Sequence, residues 1–131
     1  MPQRGLILII DDEPTIVKGI QLRLQKAGFE VITAHDGRAG VQLARQTAPD
    51  LVLLDCQMPV MDGFSALGSM RQHVETSEIP VILISGRDSD REEALAAGAA
   101  AFLAKPFGGQ ELLALIDELT LANCANESDK E

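Results

Sequence analysis

Apolar residues in this chain gather in short unbroken runs, and the stretches between them carry helical spacing. Leu6-Ile7-Leu8-Ile9-Ile10, Leu51-Val52-Leu53-Leu54 and Val81-Ile82-Leu83-Ile84 offer no polar face. Aliphatic runs of that length fit strands covered by helices on both sides. Residues 29–34, Phe-Glu-Val-Ile-Thr-Ala, and Ala101-Phe102-Leu103-Ala104 read as two further strands. Helices are expected over 15–27, 38–47, 64–73, 90–97 and 110–122. In the first, Ile16, Ile20 and Leu24 share a side while Lys18, Arg23 and Lys26 look outward. In the last, Leu112, Leu113, Leu115, Ile116 and Leu119 form a broad apolar stripe. Pro14 suits a first helical turn, and Gly28 and Gly98 suit helix ends. Residues 123–131 read as a polar, frayed tail or a linker, which leaves 1–122 as the domain.

Strand and helix alternate throughout. With right-handed crossovers this predicts an α/β, three-layer αβα sandwich. Its sheet is expected to be parallel and five-stranded, in the flavodoxin-like order 2-1-3-4-5. Ligands in such sheets bind at the carboxyl ends of the strands, at the switch point between the first and third. Each run ends in a polar group there: Asp11-Asp12-Glu13, then Asp55, Ser85 and Lys105. Asp12 or Glu13 could cap the helix that follows. Capping accounts for one acid, whereas adjacent carboxylates at a buried strand end repel and call for a cation. Mg²⁺, with Mn²⁺ as an alternative, suits carboxylates of Asp12 and Asp55, the backbone carbonyl of Gln57, and Asp11 directly or through water. Lys105 adds a positive charge and Ser85 a donor. Around Asp55 they make the set that stabilises a phosphoryl group while a carboxylate attacks it.

Composition narrows the partners. Net charge is -9, which argues against direct nucleic-acid binding by this domain. Cys56 and Cys124 read as unpaired thiols of a reducing compartment. No signal peptide or membrane span is evident, so a cytoplasmic location is expected. His35 falls in a turn and His73 at a helix end, and neither a His nor a Cys is expected at the acidic edge. No P-loop, GxGxxG or His-Glu-x-x-His motif is present.

These residues together resemble the response-regulator receiver domain of two-component signalling, over roughly residues 5–121. Asp11-Asp12 resembles the family's acidic pair and Asp55 its phosphorylated aspartate. Met58-Pro59-Val60-Met61-Asp62-Gly63 resembles the loop after that aspartate. Ser85 matches the family's hydroxyl position, and Lys105-Pro106-Phe107 its Lys-Pro signature with a cis peptide bond. The resemblance implies Mg²⁺-dependent acceptance of a phosphoryl group from a phosphohistidine of a histidine kinase or histidine phosphotransfer protein, with slow self-dephosphorylation. Ser85 and Phe102 would act as switch residues, read by an output domain or effector protein. The domain would be a monomer or a phosphorylation-dependent dimer. Gln57 and Arg87 would tune phosphoryl lifetime.

Departures accompany the resemblance. Phe102 stands where the family often has Tyr, and it also fits a plain core position. The segment from Ser85 to Lys105 is slightly shorter than the common pattern, so the fourth helix or its leading loop is expected to be trimmed. Ala100-Ala101 replaces a charged pair used by some dimerising members. Other readings are a pseudo-receiver, an Asp-nucleophile phosphohydrolase and a flavin or nucleotide carrier. The first would lack an acid, the hydroxyl or the Lys. The second would place an acid where Gln57 stands, and the third would have a Ser, Thr and Gly-rich first loop.

Overall fold

The computed structural model describes residues 4–58 and 61–129, with side chains to residue 120. Pro59 and Val60 of the loop after Asp55 lie outside the described residues, as does the side chain of Cys124. The strands are β1 (Leu6–Ile10), β2 (Glu30–Ala34), β3 (Leu51–Asp55), β4 (Val81–Ser85) and β5 (Ala101–Ala104). The helices are α1 (Pro14–Lys26), α2 (Gly37–Thr47), α3 (Gly63–Gln72), α4 (Arg91–Ala96) and α5 (Gly109–Asp129), with a 3-10 turn at Asp88–Asp90. The five strands are all parallel, in the order β2-β1-β3-β4-β5. This is the expected αβα sandwich.

Alternate residues of each strand point to opposite faces, and both faces are covered. Leu8, Ile10, Val52, Leu54, Leu83 and Phe102 pack with Val41 and Ala44 of α2, Leu67 and Met70 of α3, and Ala94 of α4. Ile7, Ile9, Leu51, Leu53, Ile82 and Leu103 pack with Val17, Ile20 and Leu24 of α1 and Leu112 and Ile116 of α5. Strand β3 is central and wholly buried. Truncating a residue such as Leu53 to Ala would cost about 2–5 kcal/mol, so the strand that presents Asp55 has little freedom to move.

Local chemistry sets the element ends. Asp36 caps α2 through the Ala39 N–H (2.8 Å), and Asp62 caps α3 through the Ser65 N–H (2.8 Å). Gly28 follows α1 with φ +101°, a conformation that favours glycine. Gly63 opens α3 directly over the end of β3. A methyl group there would lie 2.6 Å from the Asp55 carbonyl oxygen and 2.7 Å from Cys56 Cα. Only a residue without a side chain lets α3 start that close to the end of β3.

Two expectations need correction. Glu13 is the N-cap of α1, but neither its side chain nor that of Asp12 makes a capping bond. The acids after β1 are therefore not used as caps. Helix α5 does not end near Ala122 but runs to Asp129; residues 123–129 contain neither Gly nor Pro to stop it. Helix α4 begins at Arg91 and is six residues long, close to the short helix expected here. Among the described residues, no helix is long and apolar enough to cross a membrane.

Candidate functional site

Strands β1 and β3 are neighbours, with Ile10 opposite Leu54. The residues just beyond them are therefore side by side. Asp11, Asp12 and Asp55 each place a carboxylate oxygen within 4.8 Å of the others. Asp11 and Asp55 are buried, and Asp12 is exposed. The Asp11 backbone N–H donates to Ala34 O (3.1 Å), extending the β1–β2 ladder one residue past the strand. Its Oδ1 accepts the Glu13 N–H at 2.9 Å.

Electrostatics follows from this crowding. Burial pushes the Asp11 carboxyl up to about 6; the Glu13 N–H opposes the rise, while the charges of Asp55 and Asp12 add to it. Burial also raises Asp55 above the usual carboxylate range, with the charge and hydrogen bond of Lys105 acting in the opposite sense. Hard oxygen donors that resist ionising together suit a small divalent cation, whose charge would relieve both burial and repulsion.

Lys105 reaches this cluster from the end of β5. Its Nζ lies 3.3 Å from Asp55 Oδ1, which also accepts the Gln57 N–H at 3.4 Å. The Lys105 N–H donates to Ser85 O (2.8 Å), fixing where the side chain starts, and the Lys105–Pro106 peptide bond is cis. Among the described residues Asp55 Oδ2 accepts no hydrogen bond.

The comparisons with known proteins agree with this geometry. The response regulator receiver domain family matches residues 7–117. The chain belongs to that family. The chain is 39% identical over 122 residues to the transcriptional regulatory protein KdpE of Mycobacterium tuberculosis, covering 92% of this chain and 53% of that protein. It thus spans about half the length of the first curated relatives it matches. Protein PilH of Pseudomonas aeruginosa is 40% identical over 113 residues, covering 85% of this chain and 93% of PilH. Among solved structures, the receiver domain of the Pseudomonas aeruginosa sensor histidine kinase PA1611 superimposes with a TM-score of 0.83 at 32% identity. That likeness covers 88% of this chain and 97% of the other, which holds a magnesium ion in its active site cleft. The Asp11, Asp12 and Asp55 cluster of this receiver domain matches the phosphoacceptor and Mg²⁺ site of response regulators.

The other candidate residues lie around the same edge. Gln57 and Arg87 line one cleft together with Asp12 and Met58. Phe102 is buried against the α4 side of the sheet, and the Arg91 guanidinium sits over its ring at 4.8 Å. Such a cation–π contact contributes about 0.5–1 kcal/mol at an exposed site. His35 is exposed, and His73 Nδ1 lies 2.7 Å from Ser69 O.

One residue of the edge was not singled out from sequence. Asp90 is buried, and its Oδ2 accepts the Ser85 hydroxyl (2.7 Å), the Arg87 Nε–H (3.3 Å) and the Cys56 thiol (3.6 Å). It lies at the start of the expected fourth helix, and an acid five residues past a strand gives no sign of turning inward. Cys56 is also at this edge, contrary to expectation, because it directly follows Asp55. Burial and the neighbouring Asp90 charge push its thiol up to about 11, so it is no nucleophile.

Proposed function

We propose that this receiver domain accepts a phosphoryl group on Asp55 from a phosphohistidine. The observation that carries the reading is the Lys105–Asp55 contact within the acidic cluster, 3.3 Å from Nζ to Oδ1. Lys105 and the Gln57 N–H both engage Oδ1, which orients the carboxylate and leaves Oδ2 to attack. In the transfer an Oδ2–P bond forms and the P–N bond to the donor imidazole breaks, its electron pair remaining on nitrogen. Lys105 then offers its charge to a phosphoryl oxygen. Asp11, Asp12, Asp55 and the Gln57 carbonyl would hold Mg²⁺, or Mn²⁺ in its place. When bound, the cation supplies positive charge that offsets charge on the transferring group.

The donor is a histidine kinase or histidine phosphotransfer protein, and the product is read by an output domain or a separate effector. The unit that does this is 1–122, with 123–131 as a polar tail or linker. Slow self-dephosphorylation, with Gln57 and Arg87 lining the path of water, belongs to the same reading. So do a monomer or phosphorylation-dependent dimer, a cytoplasmic location and the absence of direct nucleic-acid contact by this domain. Incubation with a phosphohistidine donor and Mg²⁺, compared between wild type and Asp55→Asn, tests the reading. Uptake by wild type alone supports it, and equal uptake by both proteins overturns it.

A further inference from the structure

Ser85 is completely buried at the end of β4. Its oxygen accepts the Arg87 N–H at 3.0 Å, and its one proton goes to Asp90 Oδ2 at 2.7 Å. A hydroxyl has a single proton to donate. Donation to Asp90 and donation to a phosphoryl oxygen on Asp55 therefore exclude each other.

Asp90 is well placed to hold that proton and to release it. It stands as the N-cap residue of α4, yet its side chain makes no capping bond to the helix. The carboxylate is turned inward instead, beneath the loop that joins β4 to α4. Hydrogen bonds to a charged acceptor are roughly twice as strong as neutral ones, so the resting hold on Ser85 is firm. When Ser85 leaves, Oδ2 keeps the Arg87 guanidinium at 3.3 Å and the Cys56 thiol at 3.6 Å. The buried carboxylate is then not orphaned, and the exchange avoids the full penalty of an unpaired charge.

We infer that Asp90 is a positioning residue for phosphoryl transfer: it holds the Ser85 hydroxyl in the resting domain and so sets how readily Ser85 turns to a phosphoryl group. The inference rests on the phosphoacceptor reading of Asp55. It also gives the exchange a route outward. Asp90 is followed by Arg91, which covers Phe102. A change in what Asp90 binds is therefore felt one residue away from the contact that closes over the ring.

The test measures binding of beryllofluoride, an inert phosphoryl mimic, with Mg²⁺. Wild type, Asp90→Asn and Asp90→Ala are compared, each with Ser85 and with Ser85→Ala. Affinity is read from amide shifts of the whole chain. Asp90→Ala frees the hydroxyl and is expected to raise mimic affinity about tenfold, the scale of one hydrogen bond to a charged group. Asp90→Asn keeps the size, holds the hydroxyl more weakly, and should give a smaller gain of about threefold; it also serves if the Ala variant fails to fold. Both gains should vanish with Ser85→Ala, which a merely structural role for Asp90 would not produce. No gain in the folded Asn variant, or the same gain without the Ser85 hydroxyl, overturns the inference while the phosphoacceptor reading stands. A wild type that binds no mimic overturns that reading, and the inference with it.

Discussion

The ammonium of Lys105 and the carboxylate of Asp55 meet 3.3 Å apart although they come from strands that are not paired. Strand β4 lies between β3 and β5, so Lys105 reaches across the end of β4 to touch its partner. Lys105→Ala should leave the fold intact, because the side chain is partly exposed and the buried core does not include it. Phosphoryl uptake should slow rather than stop, since the acidic cluster and Ser85 remain. The larger loss should be in communication, because a two-state bias needs a contact that differs between the states. Amide shifts around Phe102 on mimic binding should shrink in the variant. Shifts equal to wild type would mean that Lys105 does not report the phosphoryl group to that face.

Asp11 makes stability depend on pH in an unusual direction. Its folded value of about 6 lies above the ordinary 3.8, so the folded state holds the proton over that window and the unfolded state does not. Unfolding free energy in chelator should therefore fall as pH rises from about 4 to 6. The loss is on the order of 2–3 kcal/mol if Asp11 acts alone. Urea midpoints across this range should show the decline in wild type and a weaker one in Asp11→Asn. An identical slope in both proteins would exclude Asp11 as its source.

The same crowding predicts stabilisation by a cation. Mg²⁺ at about five times its dissociation constant should add about 1 kcal/mol by linkage. Thermal melts with and without Mg²⁺ should separate in wild type and converge in Asp12→Ala. Because Asp12 is exposed, that change should not harm the fold. A wild type with the same melting temperature in millimolar Mg²⁺ and in chelator would contradict the metal assignment.

Gly63 offers a test of how tightly β3 is held. A methyl group at this position meets the Asp55 carbonyl oxygen at 2.6 Å, whereas one at Gly68 in the same helix meets nothing within 4 Å. Gly63→Ala should cost about 1–3 kcal/mol by overpacking, and phosphoryl uptake should fall with the displaced strand end. Gly68→Ala should instead stabilise by up to about 1 kcal/mol through helix propensity. Equal effects at the two positions in chemical denaturation would refute the close-approach argument.

The sheet and the acidic edge were legible because their signals are local. Unbroken aliphatic runs mark strands buried on both faces, and a polar residue at the end of each run marks the ligand edge. Asp11, Asp12, Asp55, Ser85 and Lys105 could all be picked out that way. The end of α5 was not legible, since a polar segment without Gly or Pro reads equally as helix or tail. The role of Asp90 was hidden for a different reason. In sequence it looks like an ordinary helix-capping acid, and only the path of the β4–α4 loop turns it toward Ser85 and Cys56. The placement of Arg91 over Phe102 is likewise a tertiary contact with no sequence spacing to announce it.

Phosphorylation of Asp55 can be read by borohydride trapping followed by mass spectrometry. After incubation with a phosphohistidine donor and Mg²⁺, the acyl phosphate is reduced in place and the modified residue is mapped. Modification is expected at Asp55 alone in wild type and at no residue in Asp55→Asn. Modification at Asp11 or Asp12 in the wild-type protein, with Asp55 untouched, would contradict it.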